Sequence, residues 1–347
     1  MSVHHVALCI ITLASVARAQ VHRDRYVPDN QEIRSILQER IGRDHAGAGI
    51  VAGVIDATGP RVVSCGDLDQ NTIFEIGSLT KIFTALLLSE MVARGEVALT
   101  DPISKYLPVR SWITLQELAT HASGLPRNPA NLAPADAANP FAGYTRQMLL
   151  DSLPANMRPH WEYSNLGYGL LSQALAPDYE NAIGSRITGP LRMQSTGITL
   201  TADEKSRLAT GHNDRLAAVP NWDFGALAGA GGLRSSANDL LKFLAAFLGY
   251  TQTSLAPAMA AMLDVRVPTT QPGLVNALGW QISRPDGLEI VWKDGTTSGY
   301  SSFLGYNANA RVGVVVLSNV STSRGVGDIG MHILDGASPL FQAHRVR

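Results

Sequence analysis

Apolar residues recur at helical spacing in several separate stretches of the chain. Residues 30–41 place isoleucine and leucine three or four positions apart, which predicts an amphipathic helix. Residues 82–93 are apolar on almost every side, which indicates a buried helix, and Gly95 stands where a glycine commonly ends one. Thr114 and Glu117 have the spacing of a capping box and predict another helix start. Two more helices are predicted at residues 163–176 and 237–247.

Other stretches have the composition of β-strands. Residues 48–55 and 61–65 are rich in β-forming residues, and the turn-forming segment between them predicts a hairpin. Residues 119–142 are dense in proline, alanine, asparagine and glycine, which predicts a surface loop and a wall for a cleft. The last third of the chain has four strand-like stretches at short spacing, at residues 277–282, 288–292, 301–306 and 312–317.

Strands near both ends of the chain, with helices between them, predict an α+β fold. We expect one antiparallel sheet formed from both chain ends and flanked by helices, with a mainly helical lobe inserted. Residues 20–347 would form a single catalytic domain. Its sheet lobe would comprise residues 20–75 and 266–347, and its helical lobe residues 76–265.

The composition is that of a globular protein with a large interior. Of the 347 residues, 45% are hydrophobic and 16% are charged, which argues against disorder. The formal net charge is -1 and no long run of like charges occurs, so the chain lacks the electrostatic footprint of a nucleic-acid-binding protein. It also lacks a basic amphipathic helix of the membrane-binding kind.

The first nineteen residues have the pattern of a secretory signal peptide. Residues 6–16 form a short apolar core, and Ala17-Arg18-Ala19 fits a cleavage site with small residues on either side of a variable one. The core is too short to span a bilayer, so we expect no stable membrane span and a periplasmic or secreted protein cleaved near Ala19. Removal of the leader would leave Cys65 as the single cysteine, without an internal disulfide.

Ser78 and Lys81 open the apolar stretch that follows Gly77. Residues three apart on a helix share a face, so a hydroxyl and an amine would lie within reach of each other. A serine near a helix N-terminus also lies where free N–H groups favour a developing oxyanion. This spacing recurs by chance roughly once in a chain of this length, so alone it also fits an ordinary surface helix start.

Three short motifs occur in order along the chain: Ser78-Leu79-Thr80-Lys81, Tyr163-Ser164-Asn165 and Lys293-Asp294-Gly295-Thr296. With them the sequence resembles the serine penicillin-recognising enzymes, in the branch of class C β-lactamases, D-alanyl-D-alanine peptidases and β-lactamase-like esterases. The resemblance covers almost the whole mature chain. It extends to residues 74–77, 118–126, 229–236 and 300–303.

The resemblance implies a role for each matching residue. Ser78 would be the acylated nucleophile, Lys81 would hold or accept its proton, and Tyr163 would act as general base in acylation and acid toward the leaving group. Which of Lys81 and Tyr163 takes the proton stays open at this stage. Asn165 would hold Lys81 and the substrate amide.

The third motif supplies the substrate-binding side. The resemblance implies that Lys293 binds substrate and that the backbone N–H groups of Ser78 and Thr296 form an oxyanion hole. Tyr300 follows this motif closely and is a candidate to line the cleft.

Two lysines around one phenol suggest mutual tuning of pKa values. A phenol and an ammonium both have ordinary pKa values near 10, so the pKa of either must fall by about three before it can act as a base at neutral pH. We expect Lys81 and Lys293 to lower the pKa of Tyr163, and each ammonium to lower the pKa of the other.

One position departs from the family pattern. The third motif is commonly Lys-Thr-Gly, but here Asp294 occupies the middle place. We expect its carboxylate to pair with Lys293 and to repel an anionic substrate. No histidine has metal-ligand spacing, so we expect no metal and no cofactor.

The sequence thus predicts an exported serine hydrolase that acts through an acyl-enzyme on Ser78. Hydrolysis of a β-lactam amide is the leading hypothesis, and a D-alanyl-D-alanine carboxypeptidase or endopeptidase, or a small-ester carboxylesterase, is the alternative. A penicillin-binding sensor that is acylated without turnover is the rival from another class. The expected partner is a small-molecule substrate, and the oligomeric state is left open.

Overall fold

The computed structural model describes residues 27–41, 48–154, 158–322 and 324–341. The predicted leader, residues 1–19, lies outside the described residues. The strands are β1 (Ile50–Asp56), β2 (Gly59–Cys65), β3 (Ile73–Glu75), β4 (Arg234–Ser236), β5 (Val267–Pro268), β6 (Val275–Asn276), β7 (Gln281–Ser283), β8 (Ile290–Thr296), β9 (Ser301–Asn307) and β10 (Val312–Ser318).

The helices lie mostly between the two groups of strands. They are α1 (Asn30–Ile41), α2 (Thr80–Ala93), α3 (Leu115–Ala119), α4 (Arg146–Asp151), α5 (Asn165–Leu175), α6 (Tyr179–Ile183), α7 (Ala202–Ser206), α8 (Ala228–Gly231), α9 (Ala237–Phe247), α10 (Ala256–Ala261) and α11 (Gly327–Asp335). The helix α1 and the helix α9 have the predicted bounds. Thr114 caps α3 in a complete capping box with Glu117, as predicted.

The large sheet joins the two ends of the chain. Its strand order is β2-β1-β10-β9-β8-β7-β6-β5, and every neighbouring pair is antiparallel. The first strand pairs with the last, with Ile50 opposite Ser318. The predicted α+β architecture, with an antiparallel sheet formed from both chain ends, is therefore confirmed.

One strand leaves the expected sheet. β3 pairs with β4, from the middle of the chain, in a separate two-stranded sheet. The apolar sequence of β3 predicts a strand but not its partner, because pairing partners depend on tertiary contacts. This small sheet leads directly into the turn that holds Ser78.

Apolar residues cover both faces of the large sheet. On one face α1 and α11 pack against the sheet around Ile33, Phe303 and Ile329, which are fully buried. On the other face α9 packs on β1 and β10, and the core continues into the helices that surround α2. All seven residues of β10 are buried, whichever face of the sheet they lie on, which explains the uninterrupted apolar sequence of this strand.

The central helix α2 is buried along nearly its whole length, as its sequence predicts. Gly95 follows it with a φ of 72°, in the left-handed conformation that ends many helices. Within the described residues, Cys65 has a free, half-buried thiol. None of the helices described has both the length and the apolar character needed to cross a bilayer.

Candidate active site

Ser78 lies in a short 3-10 turn, Gly77–Leu79, that leads directly into α2. The α-helix itself begins at Thr80, so Ser78 precedes the helix instead of lying in its first turn. Gly77 has a φ of 49°, in the region that favours glycine. A Cβ atom on Gly77 would lie 2.9 Å from the backbone nitrogen of Thr296. The turn is therefore packed directly against β8.

Two side chains converge on the Ser78 hydroxyl. The Tyr163 hydroxyl donates a hydrogen bond to Ser78 Oγ at 2.6 Å. Lys81, in the first turn of α2, donates a second hydrogen bond from its Nζ to Ser78 Oγ at 3.2 Å. The structure thus brings the three residues predicted to be catalytic into contact around one oxygen.

Lys81 is completely buried and makes two further hydrogen bonds. Its Nζ donates to Asn165 Oδ1 at 2.8 Å and to the backbone oxygen of Ala230 at 2.7 Å. Burial, and next the charge of Lys293, hold the pKa of Lys81 well below its ordinary value. The amine therefore gives up its proton far more readily than an exposed lysine does.

Tyr163 is surrounded by positive charge. Lys81 Nζ lies 4.8 Å from the centre of its ring, Lys293 Nζ 4.7 Å and Arg127 Cζ 5.0 Å. Burial nevertheless raises the pKa of Tyr163 above its ordinary value, although the hydrogen bond to Ser78 opposes this. The predicted lowering is therefore wrong, because the loss of water around the phenolate outweighs the nearby charge of Arg127.

Lys293 lies on β8 and is 2% exposed. Burial lowers its pKa to about 8, while the charge of Asp294 acts in the opposite direction. Neighbouring residues of a strand point to opposite faces, and Asp294 is exposed on the other side of β8. No ion pair within the described part of the chain joins the two, so the predicted pairing is wrong and Asp294 acts on Lys293 only at a distance.

The end of β8 presents a backbone N–H group to the Gly77–Leu79 turn. The Thr297 N–H donates to the oxygen of Tyr300 at 3.0 Å, so it faces β9. Because hydrogen-bonding groups alternate between the two edges of a strand, the Thr296 N–H faces the opposite edge, toward Gly77. A Cβ atom on Gly295 would lie 2.8 Å from the Ser78 nitrogen. The two N–H groups predicted for the oxyanion hole thus border the same space.

Asn165 connects the second motif to Lys81. It is the first residue of α5, and Ser164 caps this helix by accepting a hydrogen bond from Gly167 at 2.8 Å. Asn165 Oδ1 faces Lys81, and its Nδ2 donates to Asn128 Oδ1 at 2.9 Å. The helix cap therefore fixes the amide that orients the lysine.

The family comparison agrees with this arrangement. The sequence model of the Beta-lactamase family matches residues 26–337.

The chain belongs to the β-lactamase family.

Two curated relatives and one solved structure show how far the likeness extends. The D-alanyl-D-alanine-carboxypeptidase/endopeptidase AmpH of Escherichia coli strain K12 is 30% identical over 315 residues, which cover 78% of each protein. A human β-lactamase-like protein is 29% identical over 279 residues, which cover 73% of this chain but 55% of the human one. A class C β-lactamase structure from Rhodobacter sphaeroides has a TM-score of 0.73 at 25% identity, over 84% of this chain and 94% of that one.

The β-lactamase family comprises serine hydrolases, and this chain retains the reactive groups in one place. Ser78 and Tyr163 are half-buried, while Thr296 and Arg127 are exposed, so the site opens to solvent. Among the described residues, no three His, Cys, Asp or Glu side chains converge in a way that could hold a metal ion.

Tyr300 does not line the site as predicted. Its ring is 1% exposed, and its hydroxyl donates to the backbone oxygen of Ala209 and accepts from Asn221 Nδ2. Both hydrogen-bonding capacities of the phenol are thus used inside the protein. In this β-lactamase-family member the Tyr300 ring packs against Gly211 inside the protein instead of lining the cleft.

His121 is a residue whose position the sequence analysis missed. It has a φ of 62°, its Nδ1 accepts a hydrogen bond from the Ser164 N–H at 3.0 Å, and its ring lies 4.5 Å from that of Tyr163. Burial and the nearby charge of Lys293 hold the pKa of His121 well below its usual range, so the ring is neutral. His121 lies in the matching segment 118–126, but the sequence alone gives it no role beside Tyr163.

Proposed function

We propose that the protein hydrolyses an amide or ester through an acyl-enzyme on Ser78, with β-lactams as the leading substrate class. The observation that supports this most is the pair of hydrogen bonds on Ser78 Oγ, at 2.6 Å from Tyr163 and 3.2 Å from Lys81. A nucleophile with two titratable partners is the arrangement that covalent hydrolysis requires.

Lys81 is the proton acceptor in this proposal. A neutral amine has two N–H donors and one lone pair. The donors have fixed partners in Asn165 Oδ1 and the Ala230 oxygen, so the lone pair of a neutral Lys81 points at Ser78 Oγ. The lowered pKa of Lys81 makes this neutral form accessible.

Acylation then proceeds with balanced proton transfers. Ser78 Oγ attacks the carbonyl carbon as its proton passes to Lys81, and the N–H groups of Ser78 and Thr296 stabilise the oxyanion. The bond to the leaving atom breaks as Tyr163 donates its proton to that atom. The raised pKa of Tyr163 suits an acid that holds its proton until the leaving atom needs it.

Deacylation reverses the two proton transfers. The Tyr163 phenolate accepts a proton from a water molecule, and the resulting hydroxide attacks the acyl carbon. Lys81 returns its proton to Ser78 Oγ as the acyl bond breaks. Both residues thereby regain their resting state, and the net reaction is hydrolysis.

A D-alanyl-D-alanine peptidase is the second candidate. The observation that favours it is the 30% identity to AmpH of Escherichia coli, which is named a D-alanyl-D-alanine-carboxypeptidase/endopeptidase. Small esters require the same Ser78 chemistry with an alkoxide leaving group. A penicillin-binding sensor would share acylation but lack deacylation.

The test is a substrate panel with a variant of the nucleophile. Purified wild type is mixed with a chromogenic cephalosporin, a D-alanyl-D-alanine tripeptide and 4-nitrophenyl acetate. Steady cephalosporin turnover supports the β-lactamase, while peptide or ester turnover alone supports the corresponding alternative. A single stoichiometric burst with a persistent acyl mass on the protein supports the sensor.

Ser78→Ala should abolish every activity and the acyl mass while the circular dichroism spectrum stays unchanged. Ser89→Ala is the matched control, because Ser89 lies on the same helix and its hydroxyl donates to the Ala258 oxygen, away from Ser78. Turnover near wild type in Ser78→Ala would contradict the proposal. Export is a separate part of it, and the mature N-terminus should be Gln20 when the full chain is expressed with its leader.

A further inference from the structure

Arg127 follows the segment that fixes the start of α5. Its backbone oxygen accepts a hydrogen bond from the Asn165 N–H at 2.7 Å, and the oxygen of Pro126 accepts one from Ser164 Oγ at 2.7 Å. The backbone of Arg127 is thus bound to the same helix start that holds the second catalytic motif.

The Arg127 side chain leans over the reactive phenol but remains exposed to solvent. Its guanidinium carbon lies 5.0 Å from the centre of the Tyr163 ring. Among the described residues it has no carboxylate partner within ion-pair distance. A guanidinium on an aromatic face keeps N–H groups free at its edges, and these match a carboxylate in a two-pronged geometry.

The chemistry of Tyr163 determines which part of the substrate lies near Arg127. The phenol that donates to the leaving atom must lie beside the departing part of the substrate. Since Arg127 packs on the same ring, a charged group a few bonds beyond the leaving atom comes within its reach.

Arg127 is better suited than Lys81 or Lys293 to bind a carboxylate of the substrate. Lys81 and Lys293 are both buried and have lowered pKa values, whereas an arginine keeps its charge at every working pH. Asp294 places a negative charge near both lysines and opposes an incoming anion there. Arg127 is exposed, so an incoming anion can reach its guanidinium.

We propose that Arg127 binds a carboxylate on the departing part of the substrate and thereby selects substrates with an anionic leaving group. This inference rests on the proposed acyl-enzyme function of Ser78. It assigns Arg127 as a specificity residue that contacts substrate, and it leaves the reaction at Ser78 unchanged.

The experiment compares three nitrophenyl esters that carry no carboxylate, a carboxylate on the leaving group or a carboxylate on the acyl group. 4-Nitrophenyl acetate is neutral, 4-acetoxy-3-nitrobenzoate has the carboxylate on the leaving phenol, and mono-4-nitrophenyl glutarate has it on the acyl group. In Arg127→Gln the kcat/KM for 4-acetoxy-3-nitrobenzoate should fall about tenfold or more relative to that for 4-nitrophenyl acetate. Arg127→Lys should recover part of the loss, because it keeps the charge without the planar fork.

Two controls isolate the contact. Arg94→Gln removes an exposed arginine at the other end of α2, about 20 Å from Ser78 along the helix, and should leave the ratio unchanged. Rising salt should lower the wild-type preference for the anionic leaving group and should have little effect on the preference of Arg127→Gln.

Other results would overturn the assignment. An equal loss for all three esters would make Arg127 a general support of Tyr163, and a selective loss for the glutarate would place the contact on the acyl side. Hydrolysis that survives in Ser78→Ala would refute the proposed function itself. Ser78-dependent hydrolysis with an unchanged ratio would refute the Arg127 proposal alone.

Discussion

A methyl group on Gly295 would lie 2.8 Å from the backbone nitrogen of Ser78, so the strand β8 and the Gly77–Leu79 turn meet without room for a side chain. The same methyl carbon would lie 2.3 Å from the oxygen of Ile76. Since both obstacles are backbone atoms, neither can rotate away. This contact fixes the distance between the two N–H groups that would stabilise an oxyanion.

Gly295→Ala should therefore separate β8 from the turn and damage catalysis more than folding. We expect kcat/KM to fall by about a hundredfold or more, the loss typical of one misplaced oxyanion donor. Steady-state kinetics and a thermal melt measure the two effects. Gly184→Ala is the control, because a Cβ there meets no atom within 4 Å. Full activity in Gly295→Ala would show that the site tolerates a wider spacing.

The buried charge of Lys293 should lower the stability of the folded protein while it supports activity. Burial lowers its pKa to about 8 from 10.5, so below pH 8 the folded state holds a charge that it disfavours. Lys293→Met should abolish most activity yet raise the free energy of unfolding by up to about 3 kcal/mol at pH 7. Urea unfolding of both proteins measures the difference.

The difference in the free energy of unfolding between wild type and Lys293→Met should change with pH. Below pH 8 lysine is protonated in both states, and the folded state bears the full cost. Between pH 8 and 10.5 the folded protein releases the proton while the unfolded chain keeps it, so wild type gains stability relative to Lys293→Met. A stability gap that stays constant from pH 7 to pH 10 would contradict the buried-charge argument.

The same group predicts the alkaline limb of the pH profile. The Lys293 ammonium helps to stabilise the Tyr163 phenolate that forms during turnover, so kcat/KM for a neutral ester should fall above a pH of about 8. Asp294→Asn removes the charge that raises the pKa of Lys293 and should move this limb to lower pH. Glu289→Gln, whose carboxylate pairs with Arg266 and Arg284, should leave the limb in place.

His121 predicts a graded effect on Tyr163. His121→Ala removes the acceptor of the Ser164 N–H and places an alanine at a φ of 62°, so we expect a loss of about 2 kcal/mol in stability and about tenfold in kcat. His121→Asn should retain most of both, because asparagine tolerates this backbone and offers an oxygen acceptor. Thermal melts and single-turnover acylation measure the two losses, and equal defects in the two variants would contradict a positioning role.

Local patterns predicted the elements of this fold well. The capping box at Thr114, the bounds of α1 and the apolar strand β10 each depend on neighbouring residues, which the sequence displays directly. The antiparallel sheet from both chain ends followed from the positions of the strands. The pairing of β3 with β4 did not, because it joins segments about 160 residues apart through tertiary contacts.

The site was predictable as far as its reactive residues resemble those of a family. Ser78, Lys81, Tyr163 and Asn165 meet as the motifs imply. Burial was not predictable from those motifs, and burial explains the errors at Tyr163 and Tyr300. It raises the pKa of Tyr163 against the pull of the cations, and it places the Tyr300 hydroxyl among internal partners.

The pairing of Ile50 with Ser318 limits how early the large sheet can form during synthesis. During synthesis the edge of β1 that pairs with β10 has no hydrogen-bonding partner until β10 has left the ribosome. Contacts between such distant segments form slowly, because a long loop must first close. The strand β8, which borders Ser78, is also translated late. The proposed active site is thus complete only after β10 has been synthesised and has paired with β1.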